Sequence, residues 1–346
     1  MNNRKRALVI SGGGAKGAWA VGVLRRLYKD LGQRFDLVVG TSTGALMAPL
    51  AALGDIDDLV RTYTTVRNKD ILTCRFPCKS VLFNALLSLV TGRDSVFGTG
   101  PLSRTIDRHL NHERWQRLVS GPVPALVSTV SLQTGKIEYF SSHQPGITRE
   151  LFAAAMLASG SIPVFMERVQ IPKQGGQWFV DGGVKDLIPL GQAIREGARD
   201  ITAIVLGPEP PREQDEFKRI YQMVLRTFAL QMEETSANDL DFGGLITREL
   251  LWRRRLRDAL LRTVDRAKVE AAFEEASRVD QPMASKGRDY ELVRLRVLRP
   301  KEEIGETLDF RPELMSGYEQ AGYEFASVES NWQTIPAGPL YDQSAA

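Results

Sequence analysis

Cysteine is nearly absent: Cys74 and Cys78 are the two thiols in 346 residues, too few for a disulfide framework, and they point to a reducing, cytoplasmic setting. Histidine is scarce as well, with three in the chain, so the usual general base has few places to come from. No run approaches the roughly 18 consecutive apolar residues that a membrane span needs. The basic start MNNRKRALVISGGG carries an apolar run too short for a secretory signal. A large excess of one charge is also missing. The 45 basic and 42 acidic side chains leave a formal charge of +3, which argues against nucleic acid as the leading partner. What is present is 43% hydrophobic content, enough over this length to bury one large core or two modest ones.

RALVIS reads as a short buried strand, and in the stretch after it Ala18, Val21, Leu24, Tyr28 and Leu31 fall on one helical face before Gly32 stops the helix. FDLVVG is a second strand, and STGALMAPLAALGD a second helix with a polar start and Gly54 at its end. This alternation predicts the α/β class: a mainly parallel central sheet with helices on both faces, and ligand sites at the carboxyl ends of the strands. Further strands are expected at VPALVSTVSL, QWFVDGG and ITAIVLG, and in ELVRLRVLRP, where Val293, Leu295 and Val297 alternate with Arg294 and Arg296. From Pro211 to about Ser285 the composition turns charged and helical, which predicts a helical cap or insertion over residues 211–285.

Both glycine-rich turns, SGGGAKG and GTSTG, lie at such strand ends. In the first, Lys16 precedes Gly17 and alanine follows, so the Gly-Lys-Ser/Thr of a nucleoside-triphosphate loop is missing. Gly12, Gly14 and Gly17 do satisfy Gly-x-Gly-x-x-Gly, the dinucleotide fingerprint. That fold also wants an acidic residue at the end of the second strand to hold a ribose, and here Asp36 lies at the strand's beginning. No cofactor is therefore expected. The second turn, Gly40-Thr41-Ser42-Thr43-Gly44, matches a nucleophile elbow, a serine on a sharp strand-to-helix turn whose flanking glycines let the backbone close up. A glycine-flanked helix cap has the same pattern, and both readings stand on the pentapeptide alone.

A serine nucleophile needs a base. His109 and His112 fall in a polar helical segment and His143 in a turn, and all three read as surface residues. Asp181, in WFVDGGVKDLIP, is the better candidate, because an apolar strand delivers its carboxyl into a turn whose Gly182 and Gly183 permit close approach. Desolvation raises a carboxyl pKa toward the range of a useful base, although the same DGG is also an ordinary turn sequence. The glycine loop supplies the third requirement: amides that turn inward without side-chain obstruction, as an oxyanion site needs, with Lys16 adding positive potential or standing in solvent.

Taken together, SGGGAKG, GTSTG, ASGSIPVF at 158–165 and DGGVKDLIP, in that order, resemble the patatin-like phospholipase family over roughly the first 200 residues. The resemblance implies a three-layer fold with Ser42 as nucleophile, Asp181 as its only catalytic partner, and the amides of Gly12, Gly13 and Gly14 as oxyanion hole. It also implies hydrolysis of phospholipid or other acyl esters through an acyl-enzyme, without metal. The family often has arginine where this chain has Lys16, which keeps the charge and loses the planar fork. On this reading residues 1–335 form one acyl hydrolase domain and residues 336–346 a disordered tail. An acyltransferase would use the same intermediate, and a silent lipid-binding module the same fold.

Lipid capture has two candidate elements. SVLFNALLSLVTG (80–92) reads as an apolar lid or as core. LLWRRRLRDALLRTVDRAKV places Trp252, Leu256, Leu260, Val264 and Ala267 at helical spacing beside arginines, as in a peripheral helix on anionic lipid or in the solvated face of a cap. Cys74 and Cys78 with His109 and His112 have the ligand types of a zinc site but not its usual spacing, so free thiols and no metal are expected.

Overall fold

The computed structural model describes residues 4–73, 95–171, 176–208, 220–279, 284–285, 288–289 and 293–335. Strand β1 (Arg6–Ile10) lies at the heart of it, because its near-continuous apolar run suits a strand covered on both faces. Leu8 and Ile10 point into one core layer and Ala7 and Val9 into the other, the period of two that a strand imposes.

β2 (Leu37–Gly40) and β7 (Asp200–Ile204) flank β1 in parallel. β3 (Ala125–Ser131) extends the parallel set beyond β2, and β10 (Arg294–Leu298) extends it beyond β7. Antiparallel strands finish both sides: β11 (Trp332–Ile335) on β10, β4 (Ile137–Ser141) and β6 (Trp178–Asp181) on β3, and β5 (Val169–Gln170) on β6. A separate two-residue ladder joins β8 (Ala284–Ser285) to β9 (Arg288–Asp289). The sheet is thus mixed, with five parallel strands at its centre.

One register detail positions the site. β4 occupies a whole edge of β3, from Leu126 to Val130, so β2 and β6 must share the other edge. Gly40, the last residue of β2, stands opposite Val127, and Asp181, the last residue of β6, stands opposite Thr129. The two strands run toward each other and stop about 7 Å apart along β3, two residues at the strand rise.

The larger helical layer covers the Leu8 and Ile10 face with α1 (Gly17–Arg25), α2 (Thr43–Leu53), α3 (Ile56–Thr65), the short α4 (Asn68–Ile71), α5 (Gly100–His109), α6 (His112–Ser120) and α7 (Arg149–Ser159). α8 (Leu190–Arg195) packs on the Ala7 and Val9 face through Leu190 and Ala193. The charged stretch forms two helices, α9 (Ile220–Leu260) and α10 (Arg266–Val279). The chain turns between them, so Val264 and Ala267 do not continue the helical face of Trp252 and Leu256 as their spacing suggests. α1 runs on as a π-helical turn, Arg26–Asp30, before the chain leaves through Gly32, and Gly54 caps α2; both glycines are left-handed, with φ of 57 and 74. Residues 80–92, Cys74, Cys78 and the tail from 336 lie outside the described residues.

The last helix, α11 (Pro312–Ser327), joins the larger layer by lying on α1 at backbone contact. A Cβ on Gly22 would meet the carbonyl of Glu319, and one on Gly322 would meet that of Trp19. The approach brings Trp19 and Phe325 to 5.2 Å between ring centroids and Arg25 to 2.9 Å from the buried Glu319 carboxylate. Gly322→Ala is therefore expected to force the helices apart and destabilise the protein by about 2 kcal/mol, measured as a shift in the urea midpoint. An unchanged midpoint would mean that α11 is free to move away from α1.

Candidate active site

β2 ends at Gly40, and the chain reverses through Thr41 and Ser42 into α2. Ser42 has φ of 55 and ψ of −125, a conformation a side chain rarely adopts, costing on the order of 1–3 kcal/mol. Neighbouring contacts over-determine it. Gly44 has no Cβ because one would meet the carbonyls of Ile10 and Ser11, so the first turn of α2 sits directly on the end of β1. A Cβ on Gly40 would meet the backbone of Gly44. Thr41 N–H donates to Ile10 O at 3.1 Å, and Ser42 N–H donates to the buried Ser159 hydroxyl at 3.0 Å.

Asp181 arrives from the opposite direction on β6. Its N–H donates to Ser161 O at 3.0 Å, and its Oδ1 accepts from Gly183 N–H at 2.8 Å. Its Oδ2 accepts no hydrogen bond among the described residues. The carboxyl is fully buried, and burial pushes its pKa up to about 7, while the Gly183 N–H and the Ser42 hydroxyl beside it pull the other way. Gly182 lies against Ser128, where a Cβ would clash, so the turn after Asp181 rests on β3. Thr41 ties the two turns together: its hydroxyl donates to Asp186 O at 3.1 Å and lies 2.7 Å from that of Ser128.

The glycine loop closes the third side. A Cβ on Gly12 would lie 2.8 Å from Ser42 Cβ, so only glycine lets the loop press against the serine. Gly12 N–H donates to Leu187 O across a long 3.4 Å, whereas no group among the described residues accepts from the N–H of Gly13 or Gly14. Gly17 packs against the Thr43 hydroxyl at the start of α2. Lys16 does not stand in solvent: its side chain is 11% exposed and forms an ion pair with Glu303.

A cavity of about 80 Å³ opens beside Ser42 and Gly14. Leu46 and Leu50 line it along one side of α2, with Leu59, Ile106, Met156 and Phe310 across from them. Leu50 is eight residues beyond Ser42, so this wall runs about 12 Å from the serine. His109 belongs to this wall, which corrects its reading as a surface residue. It is half-buried, its Nε2 lies 3.2 Å from the Thr62 hydroxyl, and burial lowers its pKa. His112 and His143 are exposed. Among the described residues no three His, Cys, Asp or Glu side chains converge as metal ligands.

The structure brings Ser42, Asp181 and the 12–14 loop to one point, as their motifs suggest. No motif assigns a role to Ser159 or Ser161, although both lie in ASGSIPVF and contact Ser42 and Asp181. Their signal was present: two serines closing an apolar helix are polar groups with few reasons to be buried there. Glu303 carried no signal at all.

The patatin-like phospholipase family profile matches residues 8–194, more than half of the chain, and the chain belongs to that family of lipid hydrolases. Among its relatives is the cUMP-AMP-activated phospholipase of Escherichia coli, 26% identical over 322 residues that span 87% of this chain and 90% of that protein. The cGAMP-activated phospholipase of Escherichia coli strain TW11681 is 27% identical over 213 residues, 57% of each protein. The crystal structure of VipD from Legionella pneumophila covers 96% of this chain and 68% of its own at 15% identity and a TM-score of 0.42, a likeness too loose to bear on function.

The raised pKa of Asp181 has a consequence for stability. The folded protein holds a proton on this carboxyl between pH of about 4 and 7 that the unfolded chain has released, so stability falls as pH rises across that window. Asp181→Asn removes the titration. The variant is expected to be more stable than wild type at pH 8 by a few kcal/mol, and its advantage to shrink by about 1.4 kcal/mol per pH unit from 7 toward 4. Thermal melts at pH 5 and 8 check this. An advantage independent of pH would mean that the carboxyl titrates normally.

Proposed function

We propose that the protein hydrolyses fatty-acyl esters of phospholipids or lysophospholipids, with Ser42 as nucleophile and Asp181 as its base. The observation that carries this reading is a fully buried carboxyl with one oxygen free of hydrogen bonds among the described residues, pKa raised to about 7, facing a serine held at positive φ. Asp181 takes the Ser42 hydroxyl proton as Oγ attacks the ester carbonyl. The N–H groups of Gly13 and Gly14, with Gly12 beside them, receive the charge that builds on the carbonyl oxygen. As the tetrahedral species collapses, the carbon–oxygen bond to the leaving alcohol breaks and Asp181 returns the proton to it. Water, deprotonated by the same carboxylate, then attacks the acyl-serine, the bond from the acyl carbon to Ser42 Oγ breaks, Asp181 returns the proton to Oγ, and a fatty acid leaves. The cavity along Leu46 and Leu50 offers an apolar wall beside Ser42 for the first carbons of the acyl chain.

A fluorophosphonate ester tests the nucleophile. The native chain is expected to be labelled, and Ser42→Ala and denatured protein not, with ester hydrolysis by Ser42→Ala reduced by about 10⁴-fold or more. A native enzyme that does not label, or a Ser42→Ala variant that keeps its activity, overturns the proposal.

The substrate of such an enzyme resides in a membrane, and the end of α9 suits contact with its surface. Trp252 and Leu256 are 59% and 38% exposed one helical turn apart. Arg253 and Arg257 are engaged by Glu249 and Glu270, while Arg255 lies exposed on the flank of the apolar pair. Exposed apolar groups among arginines match an anionic lipid surface. No described helix is long and apolar enough to cross a membrane. Trp252→Ala with Leu256→Ala is expected to reduce co-sedimentation with phosphatidylglycerol vesicles while leaving hydrolysis of a soluble short-chain ester intact. Equal sedimentation of variant and wild type would remove this face from the proposal.

A further inference from the structure

The family match ends at residue 194, yet the glycine loop is held by a segment from the far end of the chain. Residues 300–311, between β10 and α11, cross the loop and fasten to it at two points. Glu303 pairs with Lys16, and both side chains are largely withdrawn from solvent, at 14% and 11% exposure. Thr307 O accepts from Ala15 N–H at 2.9 Å, and the same carbonyl stands where a Cβ on Gly14 would be. A third fastening anchors the segment itself. Asn68 Nδ2 donates to Leu308 O at 3.2 Å, and Asn68 Oδ1 accepts from Phe310 N–H at 2.8 Å. Between these points Leu308 and Phe310 line the cavity beside Ser42.

Lys16 is the last residue of the single 3₁₀ turn Gly14–Lys16, and its N–H closes that turn on Gly13 O at 3.2 Å. Any force on the Lys16 side chain is therefore transmitted through one short turn to the peptide planes of Gly13 and Gly14, whose N–H groups find no acceptor among the described residues. We infer that Glu303 is a positioning residue for the hydrolysis, acting through Lys16 to set the aim of the Gly13 and Gly14 amides. Without the carboxylate, a largely buried ammonium is left uncompensated and must move toward water. The loop moves with it, since Gly14 at φ of 58 has no side chain to resist rotation. The inference rests on the Ser42 and Asp181 reading, because an aimed amide matters only if an oxyanion forms.

Glu303→Gln tests it. A displacement of the amides by a fraction of an ångström to 1 Å is expected to lower kcat by about 10-fold to 100-fold with KM within twofold. The second-order rate of fluorophosphonate labelling is expected to fall in parallel, because the phosphonyl oxygen occupies the place of the oxyanion. Glu303→Asp, which keeps the charge one methylene back, is expected to recover part of the loss and serves if Glu303→Gln does not fold. Glu302→Gln, at an exposed neighbour, is the control and is expected to match wild type. Combining Lys16→Met with Glu303→Gln should give no larger loss than the worse single change, since both break one pair. Three results overturn the inference: kcat and labelling rate within twofold of wild type in Glu303→Gln, a loss confined to KM, or single losses that multiply in the double variant. Absence of labelling in the native enzyme is a different outcome, which overturns the catalytic reading itself.

Discussion

A strand has one hydrogen-bonding edge on each side, and β3 gives one of its edges to two strands that run toward each other. β2 and β6 pair with successive halves of that edge and end head to head, at Val127 and Thr129. Strand ends must turn, and both turn out of the sheet at the same place. This is why a serine after the second strand and an aspartate at the end of the sixth, far apart in the chain, come to face each other. The hydroxyls of Thr41 and Ser128 stitch the two turns together inside the protein, and the end of α7 holds both, through the Ser159 hydroxyl on Ser42 and the Ser161 carbonyl on Asp181.

The arrangement is costly in itself. Ser42 sits in strained backbone, and Asp181 has a carboxyl with no solvent and an oxygen without a hydrogen-bond partner among the described residues. Each feature lowers stability by a few kcal/mol on its own. Apolar layers, one on each face of a sheet whose central strand is buried from Ala7 to Ile10, offset these costs, as does backbone contact of α1 with α11 at Gly22 and Gly322. The same burial that makes the carboxyl unfavourable makes it basic enough to accept a proton near neutral pH. Stability and proposed activity therefore pull on Asp181 in opposite directions.

Access and aim come from outside the sheet. Helices α2, α3 and α5 leave an apolar slot beginning at Ser42, and the segment after β10 both walls that slot and holds the glycine loop. The region matched by the family thus contains the proposed reacting groups, while residues beyond it determine how firmly the loop beside them is held.

Sequence by itself determined a good deal. Central strands are legible because a strand covered on both faces must be apolar along its length, as ALVI and LVVG are, and helix ends are legible at Gly32 and Gly54 because left-handed backbone favours glycine. Ser42, Asp181 and the three glycines are legible as motifs, since each needs glycine neighbours where backbones nearly touch. The direction of β6, the burial of Asp181, the placement of His109 in a cavity wall and the pairing of Lys16 with Glu303 are not. Those depend on which partner each group meets, and partners at opposite ends of a chain leave no periodic trace in either. A carboxylate looks the same in the sequence whether it ends in water or against Ser42; only the packed structure decides how much solvent it keeps, and with that its proton.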